Sequence, residues 1–462
     1  MSFLIRNLTP DTLKALLRLC IPMIISQGAF ALMIFCARYF LAQISPVHMA
    51  AAMGAGVAWF FTYALFNGIL AYANALVAQY LGAGQPEKCS KVVTQGLLLA
   101  CACIPLLALA AYGIRYLFVF MGHAPEQAAL ELRYYDVILP ASFLMLLKVC
   151  FASFFTGIGR TRVVMICELS GIALNLPLSY LLIFGKGGLP ALDITGAALA
   201  SVLSTSFTLV LFIAFYFRRN NRLRFQVARS WAFDGGIIRR YLRLGFPSGV
   251  ETFLNVAAFN LFILMFHSYG EVEAAAATIV FSWDILSFVP LLGLNIAVMS
   301  LTGHAAGAKQ LQRTDAITSA GYVLGLGYSV LLALAFVLLR APLVEVFIFE
   351  QDDAIADAIG ELTRFMMLGL SGYVLLEGLL QVAAGVLRGA GDTQWVMRAS
   401  VTLHWLMLVS QYAIIKVFGL GPRLSWMTFV LMVVAIVVLF LHRLHQGRWR
   451  SPERIAAVMA ER

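Results

Sequence analysis

The sequence predicts an all-α membrane protein with many spans. Of its 462 residues, 61% are hydrophobic and 12% are charged, and this charged fraction is about half that of an average soluble domain. Long apolar stretches recur from end to end, and each is close to or longer than the ~20 residues that a helix needs to cross a bilayer. Strand-like alternation of polar and apolar residues is absent, so a β-barrel is not expected.

Twelve apolar stretches can be counted, and each is predicted to form one transmembrane helix. They cover residues 14–42, 48–81, 93–118, 132–157, 164–185, 193–217, 244–268, 275–305, 317–339, 359–387, 396–418 and 424–443. The first stretch is too long for a signal peptide and lacks a cleavage site, so it is expected to remain as a span.

The two halves of the chain repeat one another. Leu17–Pro22 (LRLCIP) returns 225 residues later as Leu242–Pro247 (LRLGFP), and the pattern GxTxxVM occurs at Gly159 and again at Gly391. Duplicated helical bundles with a site between them are a common plan of secondary transporters. We therefore predict two pseudo-symmetric six-helix lobes around a central cavity.

The predicted domain order follows from this repeat. Residues 1–217 are assigned to the N-terminal six-helix lobe and residues 244–445 to the C-terminal six-helix lobe. Residues 218–243 are polar and rich in arginine, and we assign them to a basic cytoplasmic linker. Residues 446–462 are assigned to a cytoplasmic tail.

The net charge of +10 is unevenly distributed across the predicted membrane. With twelve spans and a cytoplasmic N-terminus, 23 of the 33 basic residues fall on the cytoplasmic side, including Arg6, Arg388 and Arg462. Eight fall on the other side, and Arg18 and Lys148 lie within spans. This positive-inside bias places both termini in the cytoplasm. The charge therefore indicates topology and contact with anionic membrane lipids rather than a nucleic-acid partner.

Motifs for nucleotide-driven transport or for common enzymatic chemistry are absent from the sequence. There is no GxxxxGK[ST], HExxH or GxSxG pattern. The seven cysteines all lie in the first half and none forms a CxxC pair, so neither a metal centre nor a disulfide is expected. We predict no enzymatic activity and no cofactor. Any transport is predicted to be passive or driven by an ion gradient.

Ionisable residues within spans are costly and mark functional sites by default. Glu251 is one such residue, and it follows Pro247 and Gly249, with Asn255 one helical turn further on. Because burial favours the neutral acid, Glu251 is a candidate proton carrier. The alternative is a carboxylate paired with a neighbouring residue to hold two helices together.

Glu377 is the second candidate, with Tyr373 and Gln381 one turn away on the same helical face. Carboxylate, phenol and amide on one stripe could hold a proton or supply oxygen ligands to a hard cation such as Na⁺. The alternative is a hydrogen-bonded polar stripe between helices. Asp284 is a third intramembrane acid, which either bridges Glu251 and Glu377 or lies nearer the outer surface.

Lys148 and Glu168 are predicted to form a structural ion pair. Each lies ten residues from Ile158, in the short connection between the fourth and fifth spans. Antiparallel helices would place both side chains at a similar depth, roughly 15 Å from that connection. Breaking the pair would leave a lone buried charge.

Four motifs carry a family resemblance. They are Val77–Gly84 (VAQYLGAG), Leu242-x-x-Gly245-x-Pro247-Ser248, Thr302-Gly303-x-x-x-Gly307-Ala308 and Ala383–Thr393 (AAGVLRGAGDT). Together they resemble the multidrug and toxin extrusion (MATE) transporters over nearly the whole chain. The resemblance implies twelve helices in two lobes around a V-shaped cavity. It also implies export of cationic and amphipathic compounds in exchange for protons or sodium ions.

Within this family the chain looks most like the NorM-type branch. The acids that the branch uses in helix seven and helix ten fall on Glu251 and Glu377, and its helix-ten tyrosine falls on Tyr373. Many members have an aspartate in helix one, but Ala37 stands at that position here. The resemblance therefore implies that ion coupling takes place in the C-terminal lobe.

We expect a monomeric secondary antiporter of a bacterial-type inner membrane. In this hypothesis a cationic drug and H⁺ or Na⁺ compete for Glu251 and Glu377. One alternative is an exporter of a specific metabolite or siderophore. Another is a lipid-linked oligosaccharide flippase, which should have a basic cavity for pyrophosphate. A passive channel or receptor is disfavoured by the duplicated lobes.

Overall fold

The computed structural model describes residues 8–120, 124–347 and 353–461, and this part of the chain is helical almost throughout. The first half contains α1 (Pro10–Ala42), α2 (Pro46–Ala71), α3 (Ala73–Gly82), α4 (Pro86–Ala102), α5 (Ile104–Phe120), α6 (Pro125–Gly157), α7 (Thr161–Phe184) and α8 (Asp193–Tyr216). Arg6 and Arg462, which the charge analysis placed in the cytoplasm, lie outside the described residues.

The second half continues the helical pattern. Its helices are α9 (Arg219–Arg224), α10 (Gly235–His267), α11 (Glu271–Gly307), α12 (Gln312–Leu338), α13 (Arg340–Glu345), α14 (Asp353–Gly389), α15 (Thr393–Tyr412), α16 (Pro422–Gln446) and α17 (Pro452–Met459). Three of them, α9, α13 and α17, are short and lie between or after the long ones. One π-helical turn, Ala413–Val417, extends α15.

Within the described residues, 11 helices are long and apolar enough to cross a membrane. A twelfth span results if α4 and α5 are counted as one helix that bends by 43° at Cys103. The spans follow the order of the twelve apolar stretches in the sequence. The prediction of an all-α polytopic membrane protein is therefore confirmed.

The chain divides into two compact units. One unit contains residues up to Cys20 and Glu251–Met459, and the other contains Ile21–Val250 and the last residues from Ala460. Helices α1 and α10 each contribute to both units, because the divisions after Cys20 and Val250 fall inside them. The domain boundaries predicted at residues 218–243 stay a prediction.

Helix α14 is the central element of the unit that contains Glu251–Met459, and glycines let it approach its neighbours closely. A Cβ atom on Gly378 would lie 2.6 Å from the carbonyl oxygen of Gly325 on α12, and one on Gly325 would lie 2.9 Å from the Gly378 carbonyl oxygen. A Cβ on Gly389 would lie 2.6 Å from the Met299 carbonyl oxygen on α11. The backbones are therefore in direct contact at these positions, because no side chain separates them.

The predicted tail folds back onto the same unit through ion pairs. Asp392, at the start of α15, accepts a hydrogen bond from Arg443 Nε at 2.9 Å and another from Arg454 of α17. Arg450 pairs with Asp315 at 2.9 Å. Because the Asp392 side chain is 1% exposed, the two arginines satisfy a carboxylate that would otherwise be buried without a counter-charge.

Candidate functional site

Glu251 forms a buried ion pair with Arg388. The Glu251 Oε1 atom lies 2.7 Å from Arg388 Nη2, and the two side chains are 4% and 23% exposed. Glu251 is on α10 and Arg388 is in the last turn of α14, so the pair joins two helices of one unit. The guanidinium supplies this buried carboxylate with a counter-charge and a charge-assisted hydrogen bond.

This geometry corrects one expectation about the surroundings of Glu251. Arg388 was predicted to lie in a cytoplasmic loop, but it is a helical residue bound to Glu251. The space beside Gly249, two residues before Glu251, admits the backbone of a neighbouring helix. It is filled by α2, because a Cβ on Gly249 would lie 2.5 Å from both the Leu65 carbonyl oxygen and Ile69 Cγ1.

Asn255 lies one turn beyond Glu251 and points to helix α15. Its Nδ2 donates to Ser400 Oγ at 2.8 Å, and the Ser400 carbonyl oxygen lies 2.8 Å from His404 Nδ1. His404 in turn interacts electrostatically with Glu251. Glu251, Arg388, Asn255, Ser400 and His404 therefore form one polar cluster, which we call the Glu251 cluster.

Asp284, Tyr373 and Glu377 form a second polar cluster, here called the Asp284 cluster. The Tyr373 hydroxyl donates to Asp284 Oδ1 at 2.8 Å. Glu377 follows Tyr373 by one turn of α14 and interacts electrostatically with Asp284. Asp284 on α11 is thus brought to the Tyr373–Glu377 stripe, and it does not bridge Glu251 and Glu377.

The Glu377 carboxylate is incompletely satisfied. Its Oε2 atom is buried and has no hydrogen-bond partner in the described part of the chain. Gln381, one turn further along α14, accepts a hydrogen bond from Asn295 Nδ2 through its backbone carbonyl at 2.7 Å. The stripe of Tyr373, Glu377 and Gln381 therefore lies against α11. Within this stripe, Oε2 of Glu377 can accept a further hydrogen bond.

Aromatic side chains fix the orientation of Tyr373. Its ring packs at centroid distances of 6.3 Å from Trp426 and 5.9 Å from Phe429, both on α16. Phe262 on α10 stacks on Phe429 with centroids 4.8 Å apart and an interplanar angle of 4°. Tyr373 is 2% exposed, so the packing leaves its hydroxyl directed at Asp284.

The two clusters occupy different levels of α14. Glu377 and Arg388 are 11 residues apart on this helix, which corresponds to a rise of about 16 Å at 1.5 Å per residue. The electrostatic partner of Glu377 is Asp284, whereas the partner of Glu251 is Arg388. The structure therefore does not bring Glu251 and Glu377 together as ligands of one ion.

Lys148 and Glu168 meet in the other unit. Lys148 Nζ lies 3.0 Å from Glu168 Oε2, with side chains 11% and 17% exposed. The contact joins α6 and α7, as expected from two antiparallel helices with a short connection. Its structural role stays a prediction.

The sequence reasoning did not find Arg388, Ser400 and His404 as members of the Glu251 cluster. A weak signal was available for Arg388, since it lies inside the motif AAGVLRGAGDT that closes helix α14. Ser400 and His404 had no local signal, because their connection to Glu251 depends on the packing of α15. The described residues contain no group of three or more His, Cys, Asp or Glu side chains that could hold a metal ion.

Comparison with known proteins agrees with this fold. A model of the MatE family matches residues 22–181 and 247–412. The chain is 30% identical to the probable multidrug resistance protein NorM of Pseudomonas putida over 408 residues, which are 87% of each chain. It is 26% identical to the multidrug resistance protein MdtK of Pectobacterium atrosepticum, with 96% of this chain and 97% of the relative covered.

A solved structure shares the fold over nearly its whole length. It is the outward-facing conformation of a multidrug resistance MATE family transporter of the MOP superfamily, with a TM-score of 0.85, 21% identity and 97% of both chains covered. The protein is therefore a multi-pass membrane transporter and not an enzyme. It belongs to the MatE family, which confirms the resemblance found in its motifs.

Proposed function

We propose that the protein is a secondary active multidrug efflux antiporter. It exports cationic and amphipathic organic compounds in exchange for H⁺ or Na⁺. The family membership and the names of the NorM and MdtK relatives support the export of drugs. The intramembrane carboxylates support the coupling to a cation.

One observation carries the coupling proposal. Glu377 and Asp284 are two acidic groups that interact within the membrane-spanning region, and Glu377 Oε2 is buried without a hydrogen-bond partner in the described residues. Two carboxylates that interact within the membrane-spanning region are costly to keep charged together without a cation. A proton, a sodium ion or a cationic cargo would each meet this requirement, so these cations compete for the Asp284 cluster.

Tyr373 has a defined part in this proposal. Its hydroxyl donates to Asp284 Oδ1, so one oxygen atom of that carboxyl already has a hydrogen-bond donor. Protonation or ion binding at Glu377 would then be the step that changes the charge of the cluster. The cluster offers carboxylate and phenol oxygen atoms, which suit either a proton or Na⁺.

The Glu251 cluster plays a different part. Arg388 already supplies Glu251 with a positive charge, so an entering cation would have to displace a guanidinium that is fixed on α14. We propose that this pair stabilises one arrangement of α10 and α14. An ion or cargo shifts that arrangement only through a difference in its affinity for the two conformations.

The proposed location is the bacterial inner membrane, with both termini in the cytoplasm. The positive-inside bias of the basic residues supports this orientation. The protein is proposed to act as a monomer.

The test is efflux of ethidium from proteoliposomes with an imposed pH gradient or an imposed sodium gradient. Wild type is compared with Glu377→Gln, Asp284→Asn and Glu251→Gln. Glu361→Gln is the matched control, because Glu361 is on the same helix α14 as Glu377 but its side chain is 72% exposed. We expect one gradient to drive efflux, and Glu377→Gln and Asp284→Asn to abolish it while the control keeps it.

Two outcomes would overturn parts of this proposal. If neither gradient drives efflux of several organic cations, the multidrug assignment is wrong, and a specific metabolite or siderophore becomes the cargo to test. If efflux survives both substitutions in the Asp284 cluster, ion coupling lies elsewhere. A lipid-linked oligosaccharide flippase is disfavoured, because the Asp284 cluster is acidic where pyrophosphate requires basic groups.

A further inference from the structure

Residues 217–234 form a short connector between α8 and α10, and this connector is packed against α4. Ser90 Oγ donates to the Phe225 carbonyl oxygen at 2.6 Å, and Gln95 Nε2 donates to the Ala232 carbonyl oxygen at 3.0 Å. Thr94 Oγ1 lies 3.1 Å from Ser230 Oγ. The connector is therefore held along its length and presents a fixed outer face.

Asp234 secures the end of the connector. Its Oδ1 accepts from the Ile237 backbone N–H at 3.2 Å, and its Oδ2 lies 3.2 Å from Lys91 Nζ. Burial acts to raise the pKa of Asp234, but these hydrogen bonds and the Lys91 charge outweigh it and hold the pKa below its ordinary value. The carboxylate therefore caps the first turn of α10 in its charged form.

The outer face of the connector is basic. Five arginines lie between positions 218 and 233 and no acidic residue does. The five are Arg218, Arg219, Arg222, Arg224 and Arg229, all exposed. None of them takes part in an ion pair with the residues that the structure describes. Their positive charge is therefore not neutralised by neighbouring carboxylates of the chain.

Large apolar side chains are exposed among these arginines. Leu223 is 71% exposed, Trp231 is 57% exposed and Phe233 is 72% exposed. Trp231 also stacks on Phe217, with ring centroids 6.5 Å apart and an interplanar angle of 6°. Exposed apolar groups of this size carry a cost in water, so the face is suited to a surface that has both anionic and apolar layers.

The position of the connector in the chain indicates which surface it faces. It begins directly after α8 ends at Tyr216 and finishes directly before α10 begins at Gly235, and both helices have the length and hydropathy of membrane spans. A segment of this length between two spans must lie at the membrane boundary. Arginine and tryptophan side chains are typical of that boundary, where their apolar parts contact acyl chains and their polar ends contact headgroups.

We infer that the connector is a binding surface for anionic phospholipid headgroups, with Arg219, Arg222, Arg224 and Arg229 binding the phosphates. Guanidinium groups make bidentate hydrogen bonds to phosphate. Leu223, Trp231 and Phe233 would enter the interfacial layer beside them. This inference concerns the attachment of the protein to its lipid and does not depend on the cargo or coupling ion proposed above.

The test measures lipid binding to the purified full-length protein by native mass spectrometry, with phosphatidylglycerol or phosphatidylcholine added to the detergent solution. One variant replaces Arg219, Arg222, Arg224 and Arg229 by glutamine, and a second replaces the same four by lysine. The matched control replaces Lys186, Arg340, Arg364 and Lys416 by glutamine. These four are also exposed and their loss changes the net charge by the same amount.

We expect wild type to bind phosphatidylglycerol at least about tenfold more tightly than phosphatidylcholine, and the difference to shrink as salt is raised. The arginine-to-glutamine variant should lose this preference, whereas the lysine variant and the control should keep most of it. Thermal unfolding without added lipid serves to show that each variant is folded.

Three results would overturn the inference. The first is equal binding of the two lipids by wild type. The second is an equal loss of preference in the control, which would indicate general electrostatic attraction. The third is complete competition by millimolar inorganic phosphate, which would indicate a site for a free anion rather than for a headgroup at the membrane surface.

Discussion

Arg388 Nη2 lies 2.7 Å from Glu251 Oε1 in a contact that joins residues 137 positions apart. Glu251 has the sequence features of an intramembrane proton carrier, but its carboxylate is bound to a cation from the chain itself. Glu377, by contrast, has a buried oxygen atom, Oε2, that has no hydrogen-bond partner within the described residues. The two acids that sequence reasoning treated alike therefore have different surroundings and different expected roles.

The Glu251–Arg388 pair should be strongly coupled in a double-mutant cycle. Replacing one partner, as in Glu251→Gln or Arg388→Gln, leaves a poorly compensated charge, and such losses cost about 3–5 kcal/mol when both groups are buried. Because the Arg388 side chain is 23% exposed, we expect the lower end of that range. The double variant should unfold at a higher temperature than Arg388→Gln alone, as measured by thermal denaturation in detergent. Additive losses would show that the pair contributes no interaction energy.

Tyr373→Phe should weaken ion coupling without unfolding the protein. The substitution removes the hydroxyl that donates to Asp284, and a hydrogen bond to a charged group contributes about 1.5–3 kcal/mol. The apparent affinity for the coupling ion should therefore shift roughly 10- to 100-fold, toward tighter binding if the ion is a proton and toward weaker binding if it is Na⁺, as read from the gradient dependence of efflux. Tyr322→Phe is the matched control, since Tyr322 is also buried and its hydroxyl has no partner in the described residues. Equal effects of both changes would contradict the assigned role.

Glu377→Gln should abolish coupled transport and leave stability unchanged or increased. The wild-type carboxylate has a buried oxygen atom without a partner, and a neutral amide costs less to bury than an uncompensated charge. Measurement of the unfolding temperature beside vesicle efflux separates the two effects. A marked loss of stability would instead indicate that Glu377 is held by structural hydrogen bonds.

Gly378→Ala should destabilise the protein by forcing α12 and α14 apart. Its new Cβ would lie 2.6 Å from the Gly325 carbonyl oxygen, and overpacking of this kind costs about 1–3 kcal/mol. Gly372→Ala on the same helix is the control, because a Cβ there would meet nothing within 4 Å. Alanine also has the higher helix propensity, so this control should be neutral or stabilising. Equal losses of stability in the two variants would show that the contact with Gly325 does not cause the effect of Gly378→Ala.

Lys148→Met should lower expression and stability more than the paired change Lys148→Met with Glu168→Gln. The single substitution leaves the Glu168 carboxylate, which is 17% exposed, without the ammonium group 3.0 Å away. The double variant removes both charges and thus the cost of an uncompensated one. Comparable yields of monodisperse protein from the two variants would argue against a structural pair.

The membrane spans could be predicted from the sequence because each depends on local information. A long run of apolar residues crosses the bilayer as a helix, because a helix satisfies its backbone hydrogen bonds internally, and all twelve predicted stretches correspond to helical segments in order. The bend of 43° between α4 and α5 was not predicted, although Pro105 lies two residues after Cys103 and a proline inside an apolar stretch is a usual cause of a kink.

The partners of the intramembrane acids were harder to predict. Lys148 and Glu168 could be paired from their equal distance to one short connection. Asp284 and Tyr373, 89 positions apart, meet because α11 and α14 pack together. This packing depends on glycines, and their spacing in the sequence does not show which helix they contact. Arg388 was misplaced for a related reason. A basic residue at a helix end normally marks the membrane surface, and only the position of α10 shows that this one points to Glu251.

The contact between Gly325 and Gly378 has a consequence for energy conservation. An exchanger driven by an ion gradient must keep that gradient while its carboxylates change partners, and any water-filled groove beside them would dissipate it. Glu377 precedes Gly378, where the backbones of α12 and α14 touch with no side chain between them. At that level the two helices leave no gap for water, so this contact would prevent leakage along the helix pair beside the proposed coupling site.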